Sequence, residues 1–274
     1  MTLPQPFGVS DAIHHRPGSS VAVTRALPEE MAIAMVYDGT THAVMMATPA
    51  DVDDFAVGFS LTEGIVDGIH QIASCDVIPH SKGIEAQMWL AEDRGEALAA
   101  RRRTLAGPVG CGLCGIDSIE AAMRSLPSLA ATGPILTAQE ITAATESLRG
   151  WQPLHDRTRA VHAAGFMLPG QGVVLAREDV GRHNALDKLI GAMARQGIDP
   201  AQGAIVLTSR VSTEMVQKCV MAGCAILVAV SAPTLHALRL AEGAGLTLAA
   251  FARGEGFDLF THPERLRAKV SDVA

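Results

Sequence analysis

The rhythm of apolar and polar positions changes along the chain. Residues 1–28 are polar and proline-containing with no sustained period, and they predict a loose arm with an edge strand over Ser20–Arg25. Met31–Tyr37 is an apolar run stopped by Asp38-Gly39, and Thr41–Ala47 follows, a pattern that predicts a β-hairpin. Thr48 then reads as a helix N-cap, with Pro49 in the first turn. Phe55, Phe59 and Leu61 place apolar groups along Asp51–Glu63, and Gly64 closes that helix. Asp76–Pro79 and Ile84–Leu90 predict two strands joined by a turn at His80–Gly83, and Ala91–Ala106 is charged and helix-prone. Met45-Met46, Phe55 and Phe59 are expected in the core.

From Gly107 to Gly115 no period survives, because glycine and proline are too dense for a regular element. Asp117 or Ser118 caps a short helix to Ser125, and Leu126–Gly133 is a connector. Thr137 and Glu140 have capping-box spacing at the head of a helix to Leu148. Beyond that point strands and helices alternate. Strands are predicted at Val161–Met167, Gly172–Ala176, Ala204–Thr208, Ile226–Val230 and Thr247–Phe251. Helices are predicted at Asn184–Gln196, Ser212–Ala222 and Thr234–Ala244. The βαβαβ order predicts a largely parallel sheet covered by helices. The fold class is therefore α/β (α+β overall): a smaller N-terminal α+β domain over 1–106, a Gly/Cys loop and connector over 107–135, and a C-terminal α/β domain over 136–274.

Composition narrows the function classes. The 274 residues are 48% hydrophobic and 19% charged, a globular balance. A net charge of −7, with Arg101–Arg103 as the one basic run, argues against general nucleic-acid binding, and 4% aromatics argues against base stacking. That basic run reads as a solvated face, or as a guide for anions toward the adjacent loop. The longest apolar run, near Ala225–Val230, is too short to span a membrane. Met1–Ser10 has neither a basic nor an apolar signal region, so the five cysteines are expected reduced, in the cytoplasm.

Gly110-Cys111-Gly112-Leu113-Cys114-Gly115 is the segment with most chemistry. Two thiols three residues apart can meet, flanking glycines leave room for a large partner, and the following helix start favours a thiolate, partly offset by Asp117. The pattern admits four readings. A zinc half-site lacks a second pair among Cys75, Cys219 and Cys224. A thioredoxin-like dithiol would follow a buried strand, which is missing here. A sulfur carrier would hold sulfur as Cys–S–SH, and a structural turn would bury inert thiols.

Several blocks, in order along the chain, resemble the FdhD family. They are Val36–Gly39, Met45–Pro49, Phe55–Gly64, Gly110–Gly115, Glu178–Lys188, Thr208–Arg210, Ser231–Thr234 and Thr261–Pro263. The resemblance implies a sulfurtransferase accessory protein of formate dehydrogenase maturation. Such a protein takes sulfur from a cysteine desulfurase and passes it to the molybdenum cofactor, bis-molybdopterin guanine dinucleotide, destined for apo formate dehydrogenase. It implies Cys111 as the persulfide carrier, supported by Cys114, and a cofactor loop at Phe251, Ala252, Arg253, Gly254, Glu255 and Gly256. It also implies a homodimer, and a cytidine-deaminase-like fold for the larger domain. No metal of its own is expected. Pro108-Val109 departs from the polar or basic approach expected before the loop, and Glu255 puts negative charge where phosphates would lie. Deaminase chemistry is not implied, since His-x-Glu and Pro-Cys-x-x-Cys are both absent.

The remaining residues bear on a guanine-nucleotide-like ligand. Ligands of open α/β sheets sit beyond the carboxyl ends of strands. Thr208, Ser209 and Arg210 follow one predicted strand, Ser231 a second and Arg253-Gly254 a third, and their hydroxyls and guanidiniums can hydrogen-bond phosphate. Ser212 and Thr234 read as ordinary N-caps. Arg182 and His183 are candidates for cofactor contacts, or Asp179 pairs with Arg182 to brace a turn. His162 reads as a satisfied core histidine. Two rival functions remain: a dithiol oxidoreductase using Cys111 and Cys114, and a cofactor-binding chaperone without sulfur transfer.

Overall fold

The computed structural model describes residues 2–91, 126–130 and 132–267. The Gly/Cys loop, Cys111, Cys114, Arg101–Arg103 and the expected helices of 91–106 and 118–125 lie outside those residues, apart from Ala91.

The first element corrects the sequence reading. Residues expected to form a loose arm make a β-hairpin of two ten-residue strands, β1 (Phe7–Arg16) and β2 (Ser19–Pro28), turning at Pro17-Gly18. Its side chains face water on both sides, including Val9, Ile13, Val21 and Leu27, so no apolar alternation marks it in the sequence.

The next unit is a four-stranded sheet, in the order β4-β3-β6-β5, packed on one helix. Its members are β3 (Met31–Tyr37), β4 (Thr40–Ala47), β5 (Ile72–His80), β6 (Gly83–Leu90) and α1 (Val52–Thr62). The β3–β4 hairpin forms as the Asp38-Gly39 signal predicts. Phe55 and Phe59 are buried as expected. Met46 is not: strand alternation turns it outward at 52% exposure while Met45 faces the core. Thr48 does not cap α1, whose N-cap is Asp51.

The larger unit is a six-stranded sheet in the order β13-β12-β11-β10-β8-β9. Its strands are β8 (His162–Leu168), β9 (Gly172–Asp179), β10 (Ala204–Leu207), β11 (Ile226–Ala229), β12 (Thr247–Arg253) and β13 (Gly256–Thr261). On one face lie three helices, α4 (Arg182–Gln196), α5 (Thr213–Met221) and α6 (Leu235–Ala244). On the other lies α2 (Ala138–Arg149), with the capping box of Thr137 and Glu140 in place. A short helix, α3 (Pro153–Thr158), leads into β8, and β7 (Leu136–Thr137) pairs with β14 (Leu266–Arg267). All four residues of β10 and of β11 are buried, as befits strands covered on both sides. The α/β class stands, with a narrower parallel part than expected. Within this sheet β10, β11 and β12 run parallel, while β8, β9 and β13 join antiparallel.

The two units meet along α1 and α4. A Cβ on Gly58 would lie 1.8 Å from the Asp187 carbonyl oxygen, and one on Gly191 would lie 1.8 Å from that of Asp54. Only glycine permits that backbone approach. Buried charges close the seam. Asp179 Oδ2 lies 2.6 Å from Lys188 Nζ and accepts from the Thr48 N–H at 3.0 Å, and Lys188 donates to the Thr48 carbonyl at 2.8 Å. Lys218 donates to Asp187 at 2.9 Å and to Thr62 and Glu63 at 3.0 Å. Burial works against the Lys218 charge, but Asp187 and Glu63 outweigh it and hold the amine above its ordinary pKa. Asp54 is bound by Arg177 and Arg195.

Candidate functional site at one end of the central sheet

The carboxyl ends of β10, β11 and β12 lie side by side. The Val230 N–H donates to the Leu207 carbonyl at 3.0 Å, and the Val211 N–H to that of Ala232 at 3.1 Å. The Thr234 N–H closes the ring onto the Val211 carbonyl at 3.0 Å. The Phe251 N–H reaches the Ser231 carbonyl at 3.4 Å. The segments carrying Ser209, Arg210, Ser231 and Phe251 therefore share one edge of the fold.

The side chains there do different things. Ser209 is buried and donates to the Arg210 carbonyl at 3.0 Å, while Arg210 points to water. Ser231 is half-buried. Phe251, Ala252 and Arg253 end β12, Gly254 and Glu255 turn, and Gly256 opens β13. Phe251 has φ 53, a left-handed conformation rare for a bulky residue, and its ring stands 38% exposed, 6.3 Å between centroids from that of Phe260. The ladder is irregular between Ala250 and Arg253, so the strain coincides with a bulge. Ala252 is fully buried, so it supports the hairpin from within. Arg253, Gly254, Glu255 and Gly256 are exposed.

Arg182 and His183 open α4. His183 Nε2 lies 3.3 Å from Glu214 Oε2, and the Ser212 hydroxyl donates to the same oxygen at 2.6 Å. The hydrogen bond from His183, helped by Ser212 and opposed by burial, pulls Glu214 down to a pKa of about 2. Ser212 occupies the N-cap position of α5, but its hydroxyl serves Glu214 instead of the backbone. Thr234 is an ordinary cap, accepting from the Ala237 N–H at 3.2 Å. Asp179 does not brace Arg182. Its oxygens go to Lys188, Thr48, Asn184 and the Gly181 N–H, and Arg182 Nε is buried with no hydrogen-bond partner among the described residues. Among the described residues no hydrogen bond joins the 251–256 hairpin tip to Arg182 or His183.

Sequence reasoning found Thr208 but missed Glu214 at this end, and it read His162 as a core residue without an open side. His162 is half-buried, and its Nδ1 has only a 3.5 Å contact with the Thr208 hydroxyl. The signal was weak, since one histidine in an apolar strand resembles a core residue. The thiols are more decisive. Burial pushes Cys219 well above its ordinary value and Cys224 to about 11, and burial, then Asp53, lifts Cys75 to about 11. None of these three is a thiolate at neutral pH. Among the described residues no cluster of three or more His, Cys, Asp or Glu side chains is arranged for a metal, and no helix is long and apolar enough to cross a membrane.

Comparison with known proteins places this geometry. A sulfur carrier protein FdhD from Brucella abortus is 53% identical over 261 residues, covering 94% of this chain and 97% of that one. The sulfur carrier protein FdhD of Agrobacterium fabrum is 50% identical, over 92% of this chain and 93% of that one. A crystal structure of a putative formate dehydrogenase accessory protein from Desulfotalea psychrophila has the same fold, with a TM-score of 0.76 and 23% identity over 96% of this chain and 100% of that one. The FdhD/NarQ family model matches residues 28–267, and the chain belongs to that family.

Proposed function

We propose that this protein is a sulfur carrier that loads Cys111 from a cysteine desulfurase and delivers the sulfur to a molybdenum cofactor on its way into formate dehydrogenase. Family membership over 28–267 carries the reading, because that match contains both the Cys111–Cys114 pair and the polar sheet end. The thiols support it: of five cysteines, the three described ones are held as thiols by burial, leaving the glycine-flanked pair for the chemistry.

In the loading step the Cys111 thiolate attacks the outer sulfur of the donor's persulfide. The donor's S–S bond breaks, its cysteine leaves as thiolate, and Cys111–S–SH forms. In the delivery step the Cys114 thiolate attacks the inner sulfur of that persulfide. A Cys111–Cys114 disulfide forms, and the outer sulfur leaves as hydrosulfide at the acceptor. The two electrons that reduce it come from the pair of thiols. A cellular dithiol then restores the carrier.

The molybdenum cofactor, as bis-molybdopterin guanine dinucleotide, is the substrate. The residues at the sheet end fit its anionic, aromatic character. Phe251 offers an exposed ring, Arg210 and Arg253 offer exposed guanidiniums, and Gly254 and Gly256 allow close backbone approach. Ser209 is buried and bonded to the Arg210 carbonyl, so it supports the loop, and Ser231 offers a half-buried hydroxyl. Arg182 adds a guanidinium and His183 an imidazole at the head of α4. Glu255 opposes phosphate at the hairpin tip, which shifts that contact toward backbone N–H groups. The protein works as a cytoplasmic homodimer. The test is formate dehydrogenase activity in cells lacking their own carrier. Wild-type protein restores it, and Cys111→Ala fails while still accumulating as folded protein. Full restoration by Cys111→Ala contradicts the reading and favours a cofactor chaperone.

A further inference from the structure

The β1–β2 ribbon lies outside the residues that the family model matches, apart from Pro28, and the proposed sulfur transfer makes no use of it. Among the described residues neither strand pairs with a third, so the ribbon is a sheet of two. Val9 is 72% exposed and Ile13 65%, and Val21 and Leu27 are at least half exposed. A two-stranded hairpin is marginal in water unless something covers it, and a long free edge is a template for another strand. The ribbon's own anchors lie near its base. The Glu29 N–H donates to the Pro6 carbonyl at 2.9 Å, the Arg157 guanidinium stands 4.9 Å over the Phe7 ring, and α3 packs against β2. Among the described residues the outer edge of β1 has no strand beside it.

The chemistry of that edge suits a copy of itself. The turn at Pro17-Gly18 makes Arg16 and Ser19 the flanking pair. In so tight a hairpin the flanking pair exchanges hydrogen bonds, and bonding alternates back along the strand. Asp11, Ile13 and His15 therefore turn their N–H and C=O groups outward. Two copies of β1 meeting antiparallel about a two-fold axis set each residue opposite one fixed partner. Centred on Asp11, the register opposes two carboxylates. Centred on Ala12 it sets Asp11 against Ile13, and centred on His14 it sets Ile13 against His15. Centred on Ile13, it sets Ile13 against Ile13, Asp11 against His15 on both sides, and Ser10 against Arg16. Apolar pairs and opposite-charge pairs directly across strands are stabilising, and like charges are not. Asp11 accepts from the Thr24 hydroxyl with one oxygen at 2.9 Å, and His15 meets the Ser20 hydroxyl through Nδ1 at 2.7 Å, so a contact across the strands falls to Nε2.

We propose that β1 pairs edge to edge with β1 of a second copy of this chain, centred on Ile13, to make one continuous antiparallel sheet with the two β1 strands at its middle. This rests on the homodimer of the proposed function, whose surface it names, and not on sulfur transfer. The outward N–H and C=O groups of Asp11, Ile13 and His15 find partners on the other copy, and the two Ile13 side chains meet at the axis. Charge favours this place over others. A net charge of −7 on each chain opposes association, whereas the ribbon carries Arg16 and Arg25 against Asp11 as its one acid and escapes that repulsion.

Sedimentation of the full-length protein over a concentration series tests this. Wild type is expected as a dimer. Ile13→Asp puts two carboxylates at the axis and weakens the dimer about tenfold or more, with an unchanged circular dichroism spectrum. Asp11→Lys and His15→Glu each weaken it, and the double variant recovers most of the loss, because it restores opposite charges across the strands. Ile13→Cys is expected to couple to its own copy through a short thiol-to-thiol cross-linker, well above the level of wild type. Val21→Cys, on β2 and so a strand further from the axis in each copy, stays at that level. A dimer undiminished in Ile13→Asp, or Ile13→Cys coupling no more than wild type, overturns the ribbon surface and leaves the homodimer to another face. No recovery in the double variant overturns the register. A wild type that is monomeric at every concentration overturns both the surface and the homodimer and gives the ribbon to a different partner. Sulfur loading of Cys111 plays no part in these readouts, so failure of the ribbon and failure of the sulfur carrier are distinct results.

Discussion

Along α4, the charges at Asp187, Lys188 and Arg195 face the seam with α1, whereas Arg182 and His183 face the end of the sheet. The first set is closed. Lys188 meets Asp179 and the Thr48 carbonyl, Asp187 meets Lys218 and Thr62, and Arg195 meets Asp53 and Asp54. The second set is less closed: His183 meets Glu214, but the Arg182 Nε is buried with no hydrogen-bond partner among the described residues. One helix thus separates two uses of charge. Paired ions fix how the two units dock, while the head of the helix keeps one guanidinium nitrogen without a partner among the described residues.

The comparison breaks first at the seam. Gly191→Ala puts a Cβ into the Asp54 backbone and should cost at least about 3 kcal/mol in a thermal or urea melt. A near-normal melt would mean that α1 and α4 do not touch. Lys188→Met should cost about 3–5 kcal/mol, because it leaves the Asp179 carboxylate buried and uncompensated. The same change in the second set, Arg182→Met, should leave the melt unchanged, which is the sharpest contrast between the two regions.

The pH dependence is smaller. Glu214 is held at a pKa of about 2 against an ordinary 4.5. A folded value below the unfolded one means that the His183–Glu214 pair stabilises the fold above about 4.5, and that this stability is lost as pH falls toward 2. With the partial exposure of the pair, about 1–2 kcal/mol is at stake, and Glu214→Gln should flatten that part of an acid melt. The smallest effect belongs to the hairpin tip. Arg253→Ala should change stability by less than about 0.5 kcal/mol while weakening GDP binding. A stability loss there would make Arg253 a structural residue.

The legible parts of the sequence were those where one rule acts alone. The Asp38-Gly39 turn, the Thr137–Glu140 box and the buried runs of β10 and β11 each follow from local preference or a single apolar face. The β1–β2 hairpin was illegible because neither of its faces is buried. Thr48 has the chemistry of a cap, but its N–H, hydroxyl and carbonyl all serve residues more than a hundred positions away. Asp179 could be seen as a partner for some cation. Its choice of Lys188 over Arg182 is a matter of tertiary distance, and that choice leaves the Arg182 Nε without a partner among the described residues.

The central claim is that Cys111 carries sulfur, and intact-mass spectrometry tests it most directly. The full-length protein is incubated with a cysteine desulfurase and cysteine, beside Cys111→Ala and Cys114→Ala. The account predicts a gain of one sulfur atom in wild type, removed by reductant, absent in Cys111→Ala and present in Cys114→Ala. No gain in wild type with an active desulfurase, or an equal gain in Cys111→Ala, would contradict it.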